Sequence, residues 1–194
     1  MADEGPALLT IREAAERIRR REVSPVELVE ATLARIERLQ PVLNDYITVM
    51  AEGALREARR AEREVAAGRW RGPLHGVPVG LKDLYATRGA RTTAGSRILA
   101  EWVPDVDATV TARLRRAGAV VIGKHNCHEF AAGTTTNNPH YGPARNPWDP
   151  QRVPGGSSGG TGASVTAGTC LGGMGTDTGG SVRIPSCLCG GVAR

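Results

Sequence analysis

Aromatic residues and lysine are scarce in this chain of 194 residues, and each shortage narrows what the protein can be. Aromatics make up 4% of the sequence, so aliphatic side chains must fill the core, which a hydrophobic content of 40% allows. Only Lys82 and Lys124 are lysines among 25 basic residues. Arginine stays charged in proteins, whereas a desolvated lysine can become neutral. The two lysines are therefore the better candidates for proton-transfer chemistry.

Cysteine pairs, signal segments and long apolar runs are also missing. The four cysteines form no C-x-x-C and no zinc-like spacing, which predicts reduced thiols, no metal site and no cofactor. The acidic first residues lack the apolar segment of a signal peptide, and no run approaches the roughly 18 apolar residues of a membrane span. The net charge of +5 is not gathered into a tract, so direct nucleic-acid binding is not expected. We expect a cytoplasmic protein that does not contact membranes.

Residues 1–70 are predicted to form an N-terminal helical region. Thr10 and Ser24 each stand three residues before a glutamate, the capping-box pattern at the start of a helix. The apolar stripe of the second helix is expected to end before Pro41. A third helix, from about residue 50 to 67, is rich in alanine, glutamate and arginine, and we expect it to lie on the surface.

Residues 71–194 are predicted to form an α/β core. Short apolar runs within residues 75–83 and at 119–122 are typical of buried strands. Between them we expect a helix capped by Asp107, and a strand–helix–strand pattern indicates an α/β sheet. Residues 133–160 form a long segment without a regular pattern, which is usually functional in a compact domain. A buried helix is expected at about residues 163–168.

The most unusual stretch runs from residue 153 to 186 and is rich in glycine and serine. A flexible linker does not need its apolar run at 163–167. A phosphate-binding P-loop requires a lysine that this stretch lacks. Residues 156–160 match the G-x-S-x-G of a hydrolase elbow, but no core strand precedes them and all four histidines come before Ser157. None of these three interpretations fits the stretch.

A serine nucleophile served by a lysine fits better. The base that deprotonates a serine need not be histidine, and a buried lysine is suitable near neutral pH. Lys82 and Lys124 each follow a predicted strand, so both are candidates for the base. The backbone amides of residues 178–181 could stabilise an oxyanion without hindrance from side chains.

Three segments resemble, in order, the motifs of the amidase-signature family. Gly80-Leu-Lys-Asp83 resembles its lysine motif, and Arg145-Asn-Pro-Trp148 with Pro154-Gly-Gly-Ser-Ser-Gly-Gly160 resembles its first serine motif. Gly175-Thr-Asp-Thr-Gly-Gly-Ser-Val-Arg-Ile-Pro185 resembles the second serine motif. The resemblance extends over about residues 24–186. It implies a mixed β-sheet core covered by helices.

The resemblance also implies roles for individual residues. Ser181 would be the nucleophile that carries the acyl group. Ser157, after a cis peptide bond, would bridge it to Lys82, the base. The spacing to Ser181 selects Ser157 for the bridge, with Ser158 as the fallback. The implied oxyanion hole consists of the amides of Thr178, Gly179, Gly180 and Ser181, and the implied supporting residues are Ser158, Asp177 and Arg183.

The implied reaction is hydrolysis of a small carboxylic amide to an acid and ammonia or an amine, through an acyl-serine. The alternative is the A subunit of the tRNA-dependent amidotransferase, which uses the same triad to release ammonia from glutamine, with B and C subunits and tRNA as partners. That subunit more often has glutamine at the position of Ile184, which favours the amidase. The occurrence of a homodimer is left open.

The length of the chain raises a third alternative, an inactive remnant. Family members are substantially longer, and residues 187–194 begin like the family's next segment and then diverge. We therefore expect residues 71–194 to be a truncated core that lacks the C-terminal half of the fold. Such a fragment is expected to be poorly stable and inactive by itself, although it carries the catalytic residues.

Overall fold

The computed structural model describes residues 5–193, so residues 1–4 and Arg194, the outer ends of the two predicted regions, lie outside the described residues. Helices and strands alternate along most of the chain. In order they are α1 (Ile11–Arg19), α2 (Pro25–Leu43), β1 (Tyr46–Val49), α3 (Ala51–Ala66), β2 (Pro78–Lys82), α4 (Thr109–Arg116), β3 (Val120–His125), β4 (Asn137–Asn138), β5 (Gly142–Pro143), α5 (Gly159–Ala167), β6 (Gly172–Met174) and α6 (Arg183–Cys189), with 3₁₀ turns at Gly5–Leu8 and Glu129–Ala131.

Four strands form the central sheet in the order β1-β3-β2-β6. β2 runs parallel to both β3 and β6, whereas β1 is antiparallel to β3. Every residue of β2 and β3 is buried. Inner strands covered on both faces contain apolar runs, here residues 77–81 and 119–122, which is why the sequence predicts them. The mixed α/β fold expected from the sequence is thus confirmed.

The predicted helix starts are also confirmed. The Thr10 hydroxyl accepts from the amide of Glu13, whose carboxylate accepts from the amide of Thr10. Ser24 and Glu27 form the second capping box. Helix α3 turns a stripe of small apolar side chains inward and its charges outward: Ala54, Ala58, Ala61 and Val65 are buried. The expected surface position of this helix follows from that pattern.

Helices alone do not account for residues 1–70. The strand β1 lies within them and pairs with β3, so this region contributes to the central sheet. It has four residues with a mixed burial pattern, too short to show a periodicity by itself. The division of the chain at residue 70 stays a prediction.

Two predicted helix boundaries are wrong. Helix α2 continues through Pro41 to Leu43 and ends at Asn44, which has a left-handed conformation. Pro41 falls in the last turn, where the carbonyl of exposed Glu37 can bind water instead of an amide. Helix α4 is preceded by Ala108 and has no side-chain cap. The Asp107 carboxylate instead binds the guanidinium of Arg115 at 2.8 Å.

The segment after residue 133 is more ordered than predicted. Strands β4 and β5 form a small hairpin, and α5 begins at Gly159, before the expected start at residue 163. Glycines begin this helix because nothing larger fits. A Cβ atom on Gly160 would lie 2.4 Å from the carbonyl oxygen of Asn126 and 2.5 Å from that of Asp45. Close backbone packing, which propensity does not describe, sets the helix start.

Replacing Gly160 by alanine should therefore destabilise the protein. Its neighbours are backbone atoms that cannot move independently, so we expect Gly160→Ala to lower the free energy of unfolding by more than about 2 kcal/mol. The matched control is Gly53→Ala in α3, where the nearest atom to an added Cβ is the tip of the Arg56 side chain at 3.8 Å. That change should raise the free energy of unfolding by about 0.5 kcal/mol. Urea unfolding of both variants measures the difference, and equal effects would contradict the role given to backbone packing.

Candidate active site

Lys82 ends β2 with a fully buried side chain. Its Nζ lies 2.6 Å from Ser157 Oγ and 2.8 Å from Thr176 Oγ1. Within residues 5–193 it forms no ion pair. Burial lowers the pKa of Lys82 to about 8, although attraction to Cys127 and Asp177 opposes the change. A neutral amine, able to accept a proton, is thus accessible near neutral pH.

Ser157 and Ser158 lie side by side but face different partners. The peptide bond between Gly156 and Ser157 is cis, as the resemblance implied. Of these two serine hydroxyls, only that of Ser157 contacts Lys82. The hydroxyl of Ser158 donates to the carbonyl of Thr176 and accepts from its amide. The geometry therefore separates the two serines that the sequence left as alternatives for the bridge.

The two serine motifs are joined through their backbones. The amide of Ser158 donates to the carbonyl oxygen of Ser181 at 3.1 Å. This hydrogen bond brings the backbone of Ser181 to the start of α5, at the residue that follows Ser157. Ser181 itself is partly exposed, whereas Ser157 is fully buried. These exposures are those expected if Ser181 is a nucleophile accessible to substrate and Ser157 is a buried proton relay.

Asp177 organises the loop that carries Ser181. Its carboxylate accepts from the amides of Gly180 (2.8 Å), Val182 (3.1 Å) and Arg183 (3.1 Å). It also binds the guanidinium of Arg183 through two hydrogen bonds. The hydrogen bonds from Arg183 and the amides hold the pKa of Asp177 well below its usual range. The carboxylate is therefore ionised and fixes the turn before Ser181.

Three of the four amides predicted to form an oxyanion hole have no acceptor among the described residues. They are those of Thr178, Gly179 and Ser181. The amide of Gly180 is committed to Asp177. Space around the loop is open, because a Cβ on Gly179 would meet no atom within 4 Å. The oxyanion hole stays a prediction, and this geometry offers three of its four donors.

Thr176 and Tyr85 are site residues that sequence reasoning missed. Thr176 accepts from Lys82, and the Tyr85 hydroxyl donates to the carbonyl of Gly175 at 2.8 Å. Thr176 lies inside the second serine motif, which was the available signal. Tyr85 follows the lysine motif by two residues, but nothing in its spacing indicates a contact ninety residues away.

The remaining candidates for chemistry lie outside this cluster. Lys124 forms a buried ion pair with Asp83. His125 is buried, which lowers its pKa to about 3 and keeps it neutral. The four cysteines all fall within the described part of the chain and form no disulfide, as expected. In that same part, no three histidine, cysteine or acidic side chains are grouped to hold a metal ion, and no helix is long and apolar enough to span a membrane.

Comparison with known proteins finds relatives that agree with one another. The model of the amidase family matches residues 27–192. The A subunit of glutamyl-tRNA(Gln) amidotransferase from Carboxydothermus hydrogenoformans is 49% identical over 182 residues, and that from Geobacter sp. (strain M21) is 51% identical over 184. These matches cover 94% and 95% of this chain but only 38% of each relative. The chain thus spans about two fifths of the length of the curated relatives it matches.

Solved structures show the same relationship. A crystal structure of an amidase superposes with a TM-score of 0.86 at 40% identity, covering 92% of this chain and 41% of that one. A 6-aminohexanoate cyclic dimer hydrolase bound to its substrate gives 0.87 at 37% identity, covering 95% and 37%. The glutamyl-tRNA(Gln) amidotransferase A subunit of Thermotoga maritima gives 0.78 at 39% identity, covering 97% and 38%.

The role of Asp177 in the loop predicts a local change in hydrogen exchange. In Asp177→Ala, the amides of Gly180, Val182 and Arg183 lose their acceptor and should exchange about tenfold faster or more. Arg183→Ala is the matched control, because it removes the guanidinium but leaves the three amide hydrogen bonds in place. Amide exchange followed by NMR distinguishes the two. Equal exchange in both variants would mean that the guanidinium, not the carboxylate, holds the turn.

Proposed function

The chain belongs to the amidase family, and on that premise we propose that it carries the Ser-Ser-Lys triad of an enzyme that hydrolyses carboxylic amides. The observation that supports this most directly is the 2.6 Å contact between Lys82 Nζ and Ser157 Oγ. The residues that the family model matches, 27–192, include the lysine motif and both serine motifs of this chain. Solved relatives of 37–40% identity include an amidase, a 6-aminohexanoate cyclic dimer hydrolase and a peptide amidase.

Lys82 is the base in the proposed reaction. A neutral amine has two N–H groups and one lone pair. Donation of one N–H to Thr176 Oγ1 leaves the lone pair free to accept the Ser157 proton. Ser157 in turn accepts the proton of Ser181 as the Ser181 oxygen attacks the amide carbon. The proton ends on Lys82, which becomes an ammonium.

The intermediate then collapses towards products. The negative oxygen that forms on the attacked carbon is stabilised by the open amides of Thr178, Gly179 and Ser181. When the C–N bond breaks, the leaving nitrogen takes a proton back from Lys82 through Ser157, and ammonia or an amine departs. Water then attacks the acyl-Ser181 ester by the same relay and releases the carboxylic acid. No metal or cofactor takes part in this scheme.

A second candidate is the glutaminase step of the tRNA-dependent amidotransferase, with B and C subunits and tRNA as partners. The curated relatives favour it, since those with 49% and 51% identity are amidotransferase A subunits. Among the solved structures the amidotransferase subunit, at 39%, is as similar to this chain as the hydrolases, at 37–40%. The triad chemistry is the same in both. Only the amide that acylates Ser181 differs.

Reaction with a fluorophosphonate tests the triad. Ser181 should attack the phosphorus and expel fluoride, and mass spectrometry should locate the adduct on Ser181. Lys82→Met and Ser157→Ala should each slow the reaction by about a hundredfold or more, as expected for loss of a base or its relay. Because the base must be neutral, the rate should rise with pH through about 8 and then level off.

Ser158→Ala is the matched control for Ser157→Ala. It removes only hydrogen bonds to Thr176, so the rate should fall by about fivefold at most. If Ser158→Ala were the more damaging change, the bridging role would belong to Ser158. Absence of any adduct on Ser181 in the unaltered chain would favour the inactive remnant.

Protection experiments separate the two substrate classes. An amide that acylates Ser181 competes with the fluorophosphonate and slows its reaction. A small carboxamide such as propionamide should protect if the chain has amidase specificity, whereas L-glutamine should protect if the chain has the amidotransferase specificity. Glutamate, which lacks the amide, is the control for simple occupancy of the site. If neither amide protects, both assignments of substrate are wrong for this chain.

A further inference from the structure

The second lysine of the chain is buried beside the proposed site, but the triad does not use it. Lys124 lies on β3, directly next to the strand that carries Lys82. Its Nζ is 2.9 Å from Asp83 Oδ1 and donates to the carbonyl of Tyr85 (2.9 Å) and the hydroxyl of Thr92 (2.7 Å). An ammonium has three donors. The Tyr85 carbonyl and the Thr92 hydroxyl accept from two of them, and Asp83 supplies the opposite charge.

In the carboxylate of Asp83, Oδ1 faces the Lys124 ammonium as an ion pair and has no other partner among the described residues. The other oxygen accepts from the amide of Thr93 at 2.8 Å and from the Thr93 hydroxyl at 2.5 Å. The side chains of Asp83 and Lys124 are both 0% exposed. Removing one partner of a buried ion pair leaves an uncompensated charge in the interior, so Asp83 and Lys124 depend on each other.

These contacts clamp the turn that carries Lys82. The amide of Tyr85 donates to the carbonyl of Lys82 and closes the turn, and the amide of Asp83 donates to the carbonyl of His125 on β3. Lys124 holds the same turn at the Asp83 side chain and at the Tyr85 carbonyl. Removing its ammonium would leave both groups buried without their cation.

The clamp extends to the second serine motif. The side chain of Tyr85 leaves the turn and donates to the carbonyl of Gly175, directly before Thr176. Thr176 Oγ1 is one of the two hydroxyls that contact Lys82. The position of the Lys82 amine is thus fixed from the β2 turn and from the Gly175–Thr176 backbone, and both depend on the turn that Lys124 holds.

We propose that Lys124 is a positioning residue for the reaction: its ammonium holds the Lys82–Tyr85 turn and engages Asp83, so that Lys82 keeps its place beside Ser157 without a carboxylate partner. The proposal rests on the proposed function of the triad. It assigns different roles to the two buried lysines: Lys124 is a fixed cation, and Lys82 is a neutral base.

The charges around both lysines agree with this division. Lys82 faces Cys127 and Asp177, and Lys124 faces Asp83, Cys127 and His125. Burial raises the pKa of the Cys127 thiol to about 12 and lowers that of His125 to about 3, so both are neutral near pH 7. Burial lowers the pKa of Lys124, but attraction and hydrogen bonding to Asp83 oppose that change. Asp83 is therefore the counter-charge of Lys124.

Fluorophosphonate kinetics on the whole chain test the positioning role. Lys124→Met should lower the maximal rate of Ser181 modification (kinact) by about tenfold or more, because a misplaced base costs rate, not binding. The reagent concentration that gives half-maximal rate (KI) should stay within about twofold, since Lys124 does not touch the reagent. Arg115→Met is the matched control. This change breaks the ion pair between Arg115, which lies on α4, and Asp107. It should destabilise the fold without changing kinact.

NMR of the two lysines supplies a readout that does not need activity. With ¹³Cε-labelled lysine the chain gives two lysine signals, and Lys124→Met assigns them by removing one. In the unaltered chain Lys82 should titrate at about pH 8. In Lys124→Met the Asp83 carboxylate loses its cation, and by the proposal it becomes a partner for the Lys82 ammonium. The Lys82 midpoint should then rise by about one pH unit, since an opposite charge favours the ammonium. Asp83→Asn added to Lys124→Met should reverse this rise.

The outcomes separate the inference from the function on which it rests. If the unaltered chain never forms a Ser181 adduct, the proposed function fails, and the NMR titration still tests whether Lys124 keeps Asp83 from Lys82. An unchanged Lys82 midpoint in Lys124→Met overturns the inference in that case. If the chain does react, the inference is overturned when Lys124→Met keeps the full kinact. It is also overturned when Arg115→Met loses kinact to the same extent.

Discussion

The site depends on the burial of the Lys82 amine against two hydroxyls, with no carboxylate of residues 5–193 in an ion pair with it. Charged lysine is stable in water, so removing water from it favours the neutral form that can accept a proton. The fold provides this by ending a fully buried parallel strand at Lys82. Ser157 and Thr176 then supply hydroxyls within 2.8 Å. A carboxylate at the same distance would have kept the amine charged.

Close approach of backbones brings these groups together, and glycine permits it. A Cβ on Gly80 in β2 would lie 2.1 Å from the ring of His125, and one on Gly156 would lie 2.8 Å from the amide nitrogens of Thr135 and Thr136. The first contact packs β2 against β3, and the second seats the loop that presents Ser157. At Gly156 the glycine-rich stretch is therefore packed closely against the backbone of the fold, as a linker would not be.

Features set by local sequence could be predicted, and features set by distant pairing could not. The capping boxes and the buried strands β2 and β3 follow from neighbouring residues. The short strands β1 and β6 exist because they pair with an inner strand, which no local pattern records. The motifs predicted Lys82 and Ser157 as partners, and the structure brings them together. The part played by Thr176 and Tyr85 depends on contacts across about ninety residues, which spacing alone does not indicate.

The choice between an amidase and an amidotransferase is also difficult to predict from local sequence, and Ile184 is an example. Its identity favours the amidase in the sequence, yet its side chain packs under the two serine motifs. A Cβ on Gly155 would lie 3.0 Å from Ile184 Cγ2, and one on Gly180 would lie 2.9 Å from Ile184 Cδ1. A residue wedged between two backbones is selected by shape, because interiors are close-packed. The identity of Ile184 is therefore explained by packing under the Ser181 loop. The substrate class has to be determined by testing which amide acylates Ser181.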